Sequence, residues 1–130
     1  SLSLAGVKLE PRSTDLLVDI LAAKMPCLED LDISWNRMGA TQIRRICEAA
    51  RSNHYLRSLS LAHNPVSKTD PLLELGQFIR RSAGLQHLDL SGVLQTPAQV
   101  QRVIKKVKRS ASLLAVHLSH TPCIKADVGL

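Results

Sequence analysis

Leu28-Glu29-Asp30-Leu31-Asp32-Ile33-Ser34-Trp35-Asn36 returns 28 residues later as Leu56-Arg57-Ser58-Leu59-Ser60-Leu61-Ala62-His63-Asn64, with leucine or isoleucine at the same places and asparagine at the close. The ladder recurs as Leu85-x-x-Leu88-x-Leu90 and Leu113-x-x-Val116-x-Leu118, so successive copies begin 28, 29 and 28 positions apart. Leu2-x-Leu4 fits one unit earlier, with Leu4 standing 29 residues before Ile33. A fixed period of this size predicts a stack of repeats, because one unit cannot bury its own apolar face and must lean on the next.

Within each copy, Leu31 and Ile33, or Leu59 and Leu61, alternate with Asp32 or Ser60, which predicts a short strand with one apolar side. A helix follows each strand. Its starts are expected at Ser13, Thr14 or Asp15, at Thr41, at Asp70 ahead of Pro71, and at Thr96 ahead of Pro97. A side-chain oxygen at the cap accepts free amide hydrogens, and proline at the first helical position loses nothing by lacking one. Helical spacing selects a buried stripe in each unit: Leu16, Leu17, Ile20 and Leu21; Ile43, Ile46, Cys47 and Ala50; Leu72, Leu75 and Ile79; Val100, Val103, Ile104 and Val107. Parallel strands joined through helices need right-handed crossovers, so strands gather on one side and helices on the other. The expected architecture is a curved α/β solenoid, with a parallel sheet on the concave face and helices on the convex face. Residues 1–130 are read as one domain of about five repeats. With no polar cap over either end of the stack, the chain reads as an excerpt from a longer protein.

The stretches ending at Asn36 and Asn64 resemble the leucine-rich repeat pattern L-x-x-L-x-L-x-x-N. The alternation of 28 and 29, with a helix in every unit, is similar to the ribonuclease-inhibitor-like subclass. Departures occur: Val7, Val93 and Thr121 replace the asparagine in other units, and Gln95 stands where Leu9, Met38, Val66 and Cys123 place an apolar residue. The loop from Val93 to Thr96 is therefore expected to be irregular. The resemblance implies a horseshoe segment used for macromolecular recognition. Intracellular relatives of that subclass include immune-receptor sensors, Ran-type GTPase-activating proteins and actin regulators. The expected function is a non-enzymatic protein–protein interaction module or scaffold, with a regulator of a small GTPase or of the cytoskeleton as the alternative and an RNA-binding repeat as the second.

The formal charge is +6, unevenly placed: residues 1–50 carry 6 basic and 7 acidic side chains, residues 51–130 carry 11 and 4. A basic surface attracts nucleic acid, anionic lipid and acidic protein alike. Trp35, Tyr55 and Phe78 are the only aromatic residues, which argues against a series of stacking platforms for unpaired bases. Three cysteines without C-x-x-C spacing suggest neither a disulfide framework nor a zinc site. Cys47 is expected in the core, and Cys27 and Cys123 in loop packing. Together with the absence of an N-x-[ST] sequon and of any apolar run long enough to span a bilayer, this points to the cytoplasm or nucleus. No cofactor is expected.

Strand residues facing away from the core form columns at about 4.8 Å spacing. Asp30, Ser58, His87 and Ala115 make one; Asp32, Ser60, Asp89 and His117 the next; Ser34, Ala62, Ser91 and Ser119 a third. Trp35, His63, Gly92 and His120 share the strand-exit position. A protein partner is expected on Asp30, Asp32, Trp35, His63, His87, Asp89 and His117, and the mildly acidic strip suits a cationic one. Trp35 stands out because aromatics dominate binding energy at interface centres, although it could instead pack over a neighbouring loop. His87, Asp89 and His117 are near enough to tempt a metal or acid–base reading, but no fourth ligand is evident. Ser91 and Ser119 lie in the recurrent strand exit rather than a strained elbow, so hydrolase chemistry is rejected. The run Asn64-Pro65-Val66-Ser67-Lys68-Thr69-Asp70 lacks the glycines of a phosphate loop. Arg102, Lys105, Lys106, Lys108 and Arg109 form the densest basic run, able to grip an anionic partner or simply to serve as a solvated helix end.

Overall fold

The computed structural model describes residues 2–7, 10–22, 28–51, 53–64, 78–82, 84–94, 96–110 and 112–119. Its elements alternate along the chain: β1 (Leu2–Ser3), α1 (Pro11–Ala22), β2 (Asp30–Asp32), α2 (Ala40–Arg51), β3 (Ser58–Ser60), β4 (His87–Asp89), α3 (Pro97–Lys108) and β5 (Ala115–His117). Residues 78–81, between β3 and β4, are also helical. The five strands form one parallel sheet in sequence order. In register, Leu2, Leu31, Leu59, Leu88 and Val116 stand side by side, each one repeat from the next.

That row is the spine of a single core. Leu31, Leu59 and Leu88 are buried together with Ile33, Leu61 and Leu90 and with the helix residues Leu17, Leu21, Ile43, Ile46, Val100 and Val103. Cys47 is buried among them, as expected. Ile104 and Val107 are partly buried against the same cluster. Leu72, Leu75, Asp70, Pro71, Cys27 and Cys123 lie outside the described residues. Among the described residues no helix is long and apolar enough to cross a membrane.

Two asparagines turn the chain out of the sheet. Asn64 Nδ2 donates to the carbonyls of Ile33, Leu61 and Ala62 at 3.0–3.2 Å. Its Oδ1 accepts from the backbone of Asn36 at 3.0 Å and of Met38 at 3.1 Å. Asn36 repeats the device, donating to Leu4, Ile33 and Ser34 carbonyls at 2.9–3.0 Å. Buried main-chain groups left over where a strand ends need partners, and one amide reaching into two repeats supplies them. At Val93 the chain closes differently: its N–H bonds to Leu90 O at 3.0 Å, and the valine and Leu94 side chains are buried. An apolar plug and a backbone turn thus replace the amide in that unit.

Two expectations need correction. α1 begins at Pro11, ahead of Ser13, Thr14 and Asp15, and its buried residues are Thr14, Leu17 and Leu21 while Leu16 is 66 % exposed. Thr14 can lie in the core because its hydroxyl donates to Glu10 O at 3.2 Å and accepts from Gln42 Nε2 of α2 at 2.9 Å. With both capacities used, the stripe starts at residue 14 and turns Leu16 outward. Likewise α2 starts at Ala40 rather than after Thr41, with Gln42 Oε1 accepting from Gly39 N. The start of α3 is as expected: Thr96 accepts from Gln99 N, Gln99 Oε1 accepts from Thr96 N, and Pro97 follows. This is the reciprocal capping box.

Candidate functional site

The columns read from the repeat are those of the sheet. Asp30, Ser58, His87 and Ala115 are successive register partners, as are Ser3, Asp32, Ser60, Asp89 and His117. Asp30, His87 and His117 are exposed; Asp32 and Asp89 are half-buried. The third column is different, because the strands end at Asp32, Ser60 and Asp89 and the next residues curl into the exit turn. Ser34, Ala62 and Ser91 are buried there, so they offer a partner nothing; Ser119 alone of the four is exposed.

The half-buried carboxylates hold those turns. Asp32 Oδ1 accepts from Ser34 N at 2.9 Å and from Ser34 Oγ at 2.6 Å, and Asp89 Oδ1 accepts from Ser91 N at 2.9 Å. A carboxylate bonding two residues ahead imitates a backbone turn. Asp32 and Asp89 therefore shape the exit as well as charge it. Asp89 faces His117 across the register, while His87 faces Ala115. Among the described residues no three His, Cys, Asp or Glu side chains converge on a metal position.

Past the turns lies a fourth column: Gly6, Trp35, His63 and Gly92. Each N–H donates to the next unit, to Ser34, Ala62, Ser91 and Ser119 carbonyls respectively, at 2.8–3.0 Å. All four are left-handed, with φ of 69°, 61°, 57° and 68°. Glycine adopts this conformation freely, whereas a side chain costs about 1–2 kcal/mol there. Two units place glycine at the position. The two between them place aromatic rings, and those rings stack with centroids 3.9 Å apart at 17°. The imidazole rests on Gly92, where an added Cβ would stand 2.6 Å from His63 Nδ1. Trp35 nevertheless remains 62 % exposed. Packing within the stack and availability to a partner are thus both realised in one side chain.

The shared left-handed exit is the feature missed from sequence. Its signal was present in the recurrence of glycine at 6 and 92 in phase with 35 and 63. His120, one repeat past Gly92, lies outside the described residues.

The basic run is set apart from these columns. Arg102, Lys105 and Lys108 are exposed and Lys106 half-buried on α3, and Arg109 is its C-cap. Four cations near a helix C-terminus complement its partial negative charge. Elsewhere on the helices Arg45 pairs with Asp15 at 2.5 Å across exposed side chains, a contact of small energetic weight.

Residues 24–41 and 52–69 match the family model of the Leucine Rich repeat, covering both asparagine-terminated ladders. No curated protein matches the chain. Among solved structures, the tropomodulin C-terminal domain of Caenorhabditis elegans superposes with a TM-score of 0.71 at 20 % identity, over 83 % of this chain and 65 % of that one. The chain spans about two thirds of that domain, and the likeness is one of fold. With five parallel strands in repeat register and helices between them, the chain has the α/β leucine-rich repeat fold, and two of its repeats match that family's model.

Proposed function

We propose that this chain is a non-enzymatic protein-binding module whose partner sits on the sheet face and its strand-exit rim, centred on Trp35 and His63 and flanked by Asp30, Asp32, His87, Asp89 and His117. Repeat solenoids commonly bind through extended surfaces of this kind. The observation supporting the reading is Trp35 itself: an indole 62 % exposed, in a left-handed conformation, at a position where Gly6 and Gly92 satisfy the fold at lower cost. The stack does not need an aromatic residue to propagate. Exposed tryptophan held rigid by a neighbouring ring has the character of an interface anchor, offering large contact area with little rotamer entropy left to lose.

The test compares affinity capture from lysate on the wild-type chain and on Trp35→Gly, which keeps the backbone conformation at glycine's lower cost. Proteins retained by the first and lost by the second, at matched folding, are the expected result. An identical set on both would end this reading.

A further inference from the structure

We infer that the uncovered face of Trp35, above Gly6, is a seat for an arginine side chain of a cationic peptide segment; the inference deepens the protein-binding reading and rests on it. The exit column runs Gly6, Trp35, His63, Gly92 through consecutive backbone hydrogen bonds, so Trp35 has one neighbour on each side. His63 covers the side toward the third repeat, with ring centroids 3.9 Å apart. On the side toward the first repeat stands Gly6, and a Cβ built on it meets nothing within 4 Å. One face of the indole is therefore stacked, and the other looks over a residue without a side chain, where among the described residues beyond Gly6's own chain neighbours nothing comes within 4 Å of a Cβ built there. The 62 % exposure of Trp35 agrees with that arrangement.

A flat group fits such a place, and the charge along the strand that leads to it selects which. On the strand that leads to Trp35, Glu29 and Asp30 are exposed and Asp32 is half-buried; Asp89 adds a fourth carboxylate two strands away. The strand residues of β1 to β5 include no lysine or arginine. Arg57, just before β3, has its Nη1 engaged by Gly84 O at 3.1 Å. Arg37 belongs to the loop leading to α2. A guanidinium is planar, stacks on indole and forms forked bonds to carboxylates, whereas an ammonium offers only a point charge. The site therefore prefers arginine to lysine and rejects acidic peptide. The chain's net +6 does not conflict with this, because the excess cations lie in its later residues and densely on α3.

Trp35 is the only tryptophan, so its indole N–H gives one NMR signal that reports on this site alone. The full chain is titrated at low salt with hexa-arginine, hexa-lysine and hexa-glutamate amides. Hexa-arginine should move the indole signal saturably, hexa-lysine should bind about three- to tenfold more weakly, and hexa-glutamate should leave the signal in place. By calorimetry, Trp35→Gly and the pair Glu29→Gln with Asp30→Asn should each weaken hexa-arginine about five- to tenfold or more. Equal response to the acidic peptide, equal affinity for lysine and arginine, or unchanged arginine affinity in Trp35→Gly would overturn the inference. If hexa-arginine leaves the indole unmoved while Trp35→Gly still loses proteins from lysate, this inference falls and the protein-binding reading stands. Failure of both removes the platform as a binding site.

Discussion

The indole of Trp35 lies 3.9 Å from the imidazole of His63, nearly parallel at 17°, although the two residues are 28 positions apart in sequence. The solenoid repeat places them: each follows a three-residue strand and an exit turn, and each stands at φ near +60°. Stacked aromatic pairs contribute about 0.5–1.5 kcal/mol beyond their area, close to the roughly 1–2 kcal/mol that one left-handed side chain costs. The two terms offset, which makes the site a separable test of function. Trp35→Gly should shift the urea-unfolding free energy by less than about 1 kcal/mol in either direction while binding is lost. A large destabilisation would instead make Trp35 a structural residue.

Gly92 and Gly6 share a backbone conformation but not an environment. Alanine at 92 meets His63 Nδ1 at 2.6 Å and at a φ of 68°, whereas alanine at 6 meets only the conformational cost at 69°. Gly6→Ala should cost about 1–2 kcal/mol. Gly92→Ala should cost clearly more, and it should alter the fluorescence of the sole tryptophan because the imidazole beneath it must move. Equal costs and unchanged emission would show that the His63 ring does not rest on Gly92.

Asn64 is the more consequential of the two turn asparagines. Replacing it with alanine strips partners from Asn36 N and Met38 N and from carbonyls of two repeats, all buried. At about 1–3 kcal/mol for each buried group left unpaired and unrelieved by water, Asn64→Ala should lose roughly 3–5 kcal/mol. Asn53, which accepts from Tyr55 N and Leu56 N and donates to Leu21 O, gives an independent comparison with fewer bonds and a smaller expected loss. Chemical denaturation of the two variants checks the order.

The adjacent leucines of α1 should behave oppositely. Leu17→Ala opens the core and should cost about 2–5 kcal/mol, while Leu16→Gln should stay within about 0.5 kcal/mol of wild type. Thr14→Val probes the reason for this difference, since it leaves Gln42 Nε2 without its 2.9 Å acceptor. Thermal unfolding of the three variants distinguishes a stripe beginning at Thr14 from one beginning at Leu16.

The strands and their columns were legible because two periods act together: alternation within a strand fixes which residues share a side, and the repeat fixes which lie abreast. Leu31, Leu59 and Leu88 needed nothing more. For Leu16, helical spacing alone accepts either stripe, and the choice depends on Gln42 reaching Thr14 from the next helix. Alternation extended past the strand ends puts Ser34, Ala62 and Ser91 on the surface, whereas the turn there folds them inward. At the candidate site, the residues Trp35 and His63 were visible, but their left-handed backbone was not. Only the in-phase glycines at 6 and 92 hint at it.

The central claim is that the partner occupies the strand-exit rim rather than the basic helix. Hydroxyl-radical footprinting of the chain, free and with its captured partner, tests that most directly. The account predicts protection of Trp35, His63 and His87 with Lys105, Lys106 and Lys108 as reactive as before. Protection of the α3 cations with Trp35 still open to oxidation would contradict it.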